Sequence, residues 1–131
     1  MFTVLVLFSG ILLLSGCASL NQGVYLDEKA VKVERIDSPH AKIGFVSIKE
    51  MDTITWIRGN VSRHTPMRGR VAGHLDVTVT TPDGKTIYDD TVSYKRKSAK
   101  ARKAQFFLEI KSPLEKGTLV QIKHHYYGSH H

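Results

Sequence analysis

Clustered basic side chains are the residues of this sequence best suited to chemistry, and the chemistry they favour is the binding of anions. Six of them fall within nine positions, and no acidic residue occurs between Asp90 and Glu109. They are Lys95, Arg96, Lys97, Lys100, Arg102 and Lys103. Because the run separates two predicted strands, we expect it to form a protruding loop.

A second basic segment lies earlier in the chain and contains Arg63, Arg68 and Arg70. Together the two loops would present a positive surface to an anionic partner, such as lipid headgroups, an anionic envelope polymer or an acidic protein. Nucleic acid is not expected, because no aromatic residues are interleaved with the basic run. The alternative is that both loops are simply solvated and keep a domain of net charge +7 soluble.

Histidines at the C-terminal end raise a second hypothesis, a metal-binding or metal-delivery protein. The chain has seven histidines. Four of them crowd its end: His124, His125, His130 and His131. Neighbouring residues of a strand point to opposite faces, so His124 and His125 cannot easily bind one ion together. A metal site would need partners such as His74 or His64 brought in by the fold, and ordinary surface histidines are the simpler interpretation.

Catalytic motifs give no support to an enzyme. The sequence has no Gly-x-Ser-x-Gly elbow, no glycine-rich phosphate loop and no His-Glu-x-x-His. Asp89 and Asp90 would point to opposite faces of a strand, which is a poor arrangement for a carboxylate pair. We therefore expect no catalytic residues, and a non-enzymatic binding or accessory module.

The single cysteine ends an uncharged apolar run, residues 1–16. One cysteine excludes an internal disulfide and any multi-cysteine metal site. The run is shorter than the roughly 20 residues of a spanning helix and is typical of the apolar core of an export signal. It closes with Leu14-Ser15-Gly16-Cys17. This tetrapeptide resembles the lipobox of bacterial lipoprotein signal peptides. The alternatives are a buried strand with a core cysteine and an uncleaved membrane anchor.

The resemblance implies a lipid anchor. A diacylglyceryl group would be attached to the thiol of Cys17, cleavage would follow Gly16, and the new amino terminus would be acylated. These acyl chains are the only non-protein groups that we expect, and no cofactor or resident metal is implied.

Ala18 and Ser19 follow the cysteine where an Asp would retain the protein in the inner membrane. A Gram-negative protein would therefore sit in the outer membrane facing the periplasm, and a Gram-positive one outside the plasma membrane. No Lys or Arg precedes the apolar run, so we expect the start codon to lie upstream.

The elements that must position these residues are strands, in which apolar and polar residues alternate with a period of two. Leu75, Val77 and Val79 share one face, the turn at 81–85 contains Gly84, and the chain returns over 86–94. Similar patterns cover 24–36, 43–49, 53–62, 106–110 and 120–123. About seven strands predict an all-β fold, a single antiparallel sandwich of immunoglobulin-like or Greek-key type, with a small barrel as the alternative. We expect a signal peptide over 1–16, a tether over 17–23, the sandwich over 24–127 and a histidine-containing tail over 128–131.

Overall fold

The computed structural model of the chain describes residues 24–25, 30–65 and 70–127. Within these ranges the chain forms nine β-strands. They are β1 (Val24–Tyr25), β2 (Val31–Ile36), β3 (Ala41–Met51), β4 (Ile54–Arg63), β5 (His74–Thr80), β6 (Thr86–Val92), β7 (Tyr94–Arg96), β8 (Lys103–Ile110) and β9 (Thr118–His125).

The strands divide into a five-stranded sheet, of order β1-β3-β4-β8-β7, and a four-stranded sheet, of order β2-β9-β5-β6. Every hydrogen-bonded pair is antiparallel except β2 and β9, which run parallel from Val31 beside Thr118 to Ile36 beside Lys123. Inward side chains of the two sheets form one hydrophobic core. The predicted all-β sandwich is therefore confirmed, with one parallel pair that the fully antiparallel prediction did not include.

Two stretches predicted as single strands are each divided between the sheets. Within 24–36, β1 pairs with β3 in the five-stranded sheet, whereas β2 pairs with β9 in the other. Within 86–94, the chain leaves β6 in the four-stranded sheet at Val92 and enters β7 in the five-stranded sheet at Tyr94. At the second change of sheet, Val92 and Tyr94 both face the core with the exposed Ser93 between them, so the local pattern gives no sign of it.

Inward and outward side chains alternate strictly along three strands, and the inward ones fill the core. Leu75, Val77 and Val79 of β5 are 0% exposed, as their shared face predicts. The same alternation buries four side chains of β8: Ala104, Phe106, Leu108 and Ile110. On β9 the inward row begins at Thr118 and ends at His124, which places an imidazole at the edge of the core.

The hairpin of β5 and β6 has the predicted turn. The backbone N–H of Thr81 donates to the carbonyl of Lys85 over 2.8 Å, and that of Gly84 donates to the carbonyl of Thr81 over 2.9 Å. Gly84 has a φ of +89°, a conformation that residues with a side chain rarely adopt.

The predicted signal peptide over 1–16, the predicted tether over 17–23 and the predicted tail over 128–131 lie outside the described residues, and so do 26–29 and 66–69. Among the residues that the structure does describe, no helix has the length and apolar character required to cross a membrane.

Candidate functional site

The two basic segments meet at one end of the sandwich. Strand β4 ends beside the start of β8, where Ser62 pairs with Lys103. Arg63 closes β4, and its Nη2 donates a hydrogen bond of 2.9 Å to the carbonyl of Arg70. The start of β8 and the loop that follows β4 are therefore neighbours, although about forty positions separate Arg63 from Lys103.

The basic run over 95–103 is only partly a loop, which corrects the prediction. Lys95 and Arg96 belong to β7 and pair with Gln105 and Ala104. The loop itself covers 97–102, and Arg96 Nη1 donates to the carbonyl of Ala99 over 3.0 Å. Because β7 is an edge strand of three residues, its cationic side chains still reach solvent at the sheet margin.

Three surface grooves join these segments into one region. A groove of about 310 Å³ contains Arg63 and Arg70, one of about 390 Å³ contains Arg63, Arg102 and Lys103, and one of about 460 Å³ contains Arg70, Lys95 and Arg96. Shared arginines make the grooves contiguous. We call this region the basic end: Arg63, Arg70, Lys95, Arg96, Lys97, Lys100, Arg102 and Lys103. The ninth predicted cation, Arg68, lies outside the described residues.

The charges of the basic end are not neutralised by carboxylates in the part of the chain that the structure describes. None of the eight cations forms an ion pair there, and Arg63 and Arg96 donate to backbone carbonyls instead. Asp37, in the nearby turn between β2 and β3, accepts a hydrogen bond from the backbone N–H of Ile43. The basic end therefore presents uncompensated positive charge to solvent.

An aromatic groove on the outer face of the five-stranded sheet continues from the basic end. It has a volume of about 570 Å³ and is lined in part by Phe45, Phe107, Arg58 and Lys97. Phe45 is 73% exposed and Phe107 is 50% exposed. The guanidinium of Arg58 lies 5.9 Å from the ring centre of Phe107, within the range of a cation–π contact. Phe45 also lines the groove that holds Arg102 and Lys103, so apolar and cationic groups share one surface.

Sequence reasoning did not single out this groove. Neighbouring residues of a strand face opposite sides, so the inward Phe106 implies that Phe107 faces outward, and the sequence carries this signal. Phe45 lies within an irregularity in the pairing of β3 with β4, between Ile43 and Val46, which breaks the period of two. Gly44 immediately before it is the one local sign of a bulge.

His124 is buried beneath the basic end and takes part in a hydrogen-bonded network. Its Nδ1 lies 2.7 Å from Ser38 Oγ, and its Nε2 lies 2.9 Å from the hydroxyl of Tyr94. Burial lowers the pKa of His124 below the 6.5 of a free side chain, while a hydrogen bond with the Ala72 backbone acts in the opposite direction. Burial also raises the pKa of Tyr94 to about 12.

A serine hydroxyl within hydrogen-bond reach of an imidazole is the arrangement of a nucleophile and its base. Here, however, Ser38 Oγ accepts hydrogen bonds from the backbone N–H groups of His40 and Ala41, each 3.1 Å long. The His124 side chain is 2% exposed, so a substrate has no access to it. The arrangement is suited to joining the turn after β2 to β7 and β9.

Of the predicted metal ligands, the structure separates His124 from His125 but brings His74 beside His125. His124 points inward and His125 outward, as adjacent strand residues must. His125 lies opposite His74 of β5, and their rings stack with centres 4.9 Å apart. His64 does not join them, because its Nε2 lies 2.6 Å from the carbonyl of Ser38. His130 and His131 lie outside the described residues.

Comparisons of the chain with protein-family models, with curated proteins and with solved structures found no match. The function must therefore be inferred from the geometry of the site and from the sequence motifs.

Proposed function

We propose that this chain is a lipid-anchored, non-enzymatic binding module of the bacterial cell envelope whose basic end contacts an anionic partner. The resemblance of Leu14-Ser15-Gly16-Cys17 to a lipobox supports the anchor. The lipid would be attached to Cys17, and residues 17–23 would form a tether. A flexible chain of this length reaches only about 15 Å, which keeps the domain close to the bilayer.

The observation that carries the binding role is the convergence of two basic segments at one end of the sandwich. The segments are distant in sequence, yet Arg63 and Arg70 line the grooves that also hold Lys95, Arg102 and Lys103. Like charges gathered without carboxylate partners repel one another, which opposes folding unless an anion offsets the repulsion. Bound anions would relieve that repulsion.

The partner that fits this surface best is the phosphate-bearing surface of an anionic membrane. Each Lys or Arg close to such a surface contributes about 1 kcal/mol of attraction. Phe45 and Phe107 stand exposed beside the cations, and aromatic side chains are enriched at membrane interfaces. Strand β1 begins at Val24 beside Glu50, at the end of the five-stranded sheet away from Arg63. An anchor at Cys17 would therefore let both groups reach the bilayer when the outer face of that sheet lies along it. An acidic envelope protein is the alternative partner that the experiment below distinguishes.

Location follows from the anchor. Ala18 and Ser19 in place of an acidic retention signal favour the outer membrane, facing the periplasm, in a Gram-negative cell. In a Gram-positive cell the same anchor would hold the domain outside the plasma membrane.

Mass spectrometry of membrane fractions tests the anchor. We expect an N-terminal peptide that begins at Cys17 and carries a diacylglyceryl mass, and we expect Cys17→Ala to abolish it. An unmodified chain that begins at Met1 and is recovered in the soluble fraction would contradict the proposal.

Photo-crosslinking in native membranes tests the partner of the basic end. A photoreactive amino acid at Lys97 is expected to add the mass of anionic lipids, because Lys97 lines the aromatic groove. The matched control carries the same amino acid at Lys85, in the turn at the other end of the sandwich. A discrete protein adduct at Lys97 would favour the acidic-protein alternative, and equal yields at both positions would contradict a specific surface.

A further inference from the structure

We propose that His74, Asp76 and His125 bind a divalent transition-metal ion on the outer face of the four-stranded sheet. The proposal is independent of the anionic partner, because it concerns a different sheet and different residues. Among the residues that the structure describes, these three form the one group of histidine, cysteine or acidic side chains close enough together to hold an ion.

Strand register brings the three side chains together. His74 of β5 lies directly opposite His125 of β9 in an antiparallel pair. Asp76 is two residues beyond His74, so it projects from the same face of β5. Since the intervening Leu75 is buried, the face that holds all three ligands is the outward one.

The distances fit a site that closes around an ion with small movements. Nε2 of His74 lies 3.1 Å from Oδ1 of Asp76, and Nδ1 of His125 lies 4.0 Å from Oδ2 of Asp76. One ligand atom from each residue lies within 4.8 Å of the others. Ligands around a tetrahedral zinc ion are about 3.4 Å apart, given bonds of about 2.1 Å. Only the exposed ring of His125 has to move appreciably.

The ligand set indicates which ions would bind. Two imidazoles and one carboxylate suit Zn²⁺, Cu²⁺ and Ni²⁺, whereas Mg²⁺ and Ca²⁺ prefer oxygen ligands. Three protein ligands leave a coordination position for water or for a donor from another molecule. The carboxylate also supplies negative charge that offsets part of the charge of the ion.

Neighbouring groups hold two of the ligands in place. The hydroxyl of Thr91 on β6 donates a hydrogen bond of 3.3 Å to Oδ1 of Asp76, which orients the carboxylate. The His74 side chain is 17% exposed and lies against the ring of Tyr127, with centres 5.0 Å apart. Two ligands are therefore fixed before an ion arrives, and the more exposed His125 completes the site.

Calorimetric titration with ZnCl₂ tests the site. The protein is the full chain in detergent carrying Cys17→Ser, His130→Ala and His131→Ala, which removes the thiol and the tail histidines as competing ligands. We expect one ion per chain. In this background, His125→Ala and Asp76→Asn should each weaken binding by about tenfold or more.

The matched control is His40→Ala, which removes an exposed histidine that stacks on Tyr126 at another position. It should leave the affinity unchanged, and circular dichroism should show the same strand content in every variant. Absence of Zn²⁺ binding in the background chain would overturn the proposal. So would binding that His125→Ala and Asp76→Asn leave intact, or that His40→Ala removes to the same extent.

Discussion

The imidazole of His124 and the hydroxyl of Ser38 lie 2.7 Å apart, although 86 residues separate them in the chain. Ser38 belongs to the turn between β2 and β3, and His124 is near the end of β9. Because two backbone N–H groups occupy the acceptor sites of Ser38 Oγ, its own hydrogen is free to be donated to Nδ1 of His124. The other ring nitrogen then carries the hydrogen and donates to Tyr94. The neutral ring is thus fully satisfied, and it joins three elements below the basic end.

Removal of the Ser38 hydroxyl tests this link. Ser38→Ala leaves Nδ1 of His124 buried without a donor, and the turn loses its acceptor for two N–H groups. We expect the free energy of unfolding to fall by about 1–3 kcal/mol, measured by urea denaturation. The matched control is Ser112→Ala, since Ser112 Oγ only donates to the adjacent carbonyl of Pro113 at the surface. Equal losses in the two variants would contradict the structural role of Ser38.

The lowered pKa of His124 predicts how stability depends on pH. The unfolded chain gains a proton at His124 near pH 6.5, whereas the folded chain gains it only at lower pH. Stability from this residue is therefore complete above pH 6.5 and falls as the pH decreases toward the folded pKa. The groups around the ring are Tyr94, His74, His125 and His40, and the three histidines reinforce the effect when protonated.

Urea denaturation between pH 5 and pH 7 measures the dependence. The His124→Gln variant is expected to be less stable throughout and to show a smaller decrease with falling pH. If the wild type and His124→Gln lost stability in parallel, another group would be responsible and the assignment to His124 would be wrong.

Two glycines with positive φ provide a matched pair. Gly73 has a φ of +125° and Gly84 a φ of +89°. A Cβ at Gly73 would meet the backbone carbonyl of His125 and would come within 2.9 Å of Nε2 of His124, whereas a Cβ at Gly84 would meet nothing within 4 Å. Gly84→Ala should therefore lower the free energy of unfolding through conformational strain alone, by about 1–2 kcal/mol. Gly73→Ala should cost at least about twice as much in thermal or urea denaturation. Similar costs at the two positions would contradict the close approach of β9 to Gly73.

Much of the fold could be predicted from local pattern. The alternation of Leu75, Val77 and Val79 and the turn with Gly84 identify the β5–β6 hairpin, because both signals lie within a few residues. The division of 24–36 and of 86–94 between two sheets could not be predicted. The period of two continues from Val92 to Tyr94 although the chain changes sheet there, and β2 pairs with β9, which lies at the other end of the chain.

The same limit applies to the candidate sites. Composition identifies the cations of the basic end, but their convergence depends on the pairing of β4 with β8, which brings Ser62 beside Lys103. Asp76 was missed as a metal ligand, although its spacing of two from His74 places both on one face of an alternating strand. Only the register of β5 with β9 shows that His125 joins them.

The most direct test of the proposed function uses Trp56, the single tryptophan of the chain, as a reporter of contact with the bilayer. Its ring lies 6.2 Å from that of Phe107, beside the aromatic groove. The lipidated protein, which begins at Cys17, is reconstituted in vesicles that contain a brominated quencher lipid, either neutral or mixed with phosphatidylglycerol. The fluorescence of Trp56 is then measured. Two variants are compared. One carries Lys95→Glu, Lys97→Glu, Lys100→Glu and Arg102→Glu at the basic end, and the other carries Lys32→Glu, Lys85→Glu, Lys111→Glu and Lys116→Glu toward the other end.

We predict stronger quenching of the wild type in anionic than in neutral vesicles, because the cations bring the aromatic groove onto the phosphates. Reversal of charge at the basic end should reduce the quenching in anionic vesicles to the level measured in neutral vesicles. The matched reversal at the other end should not. Salt should weaken the difference by screening the attraction. Quenching that is equal in neutral and anionic vesicles, or that both variants lose equally, would contradict the account.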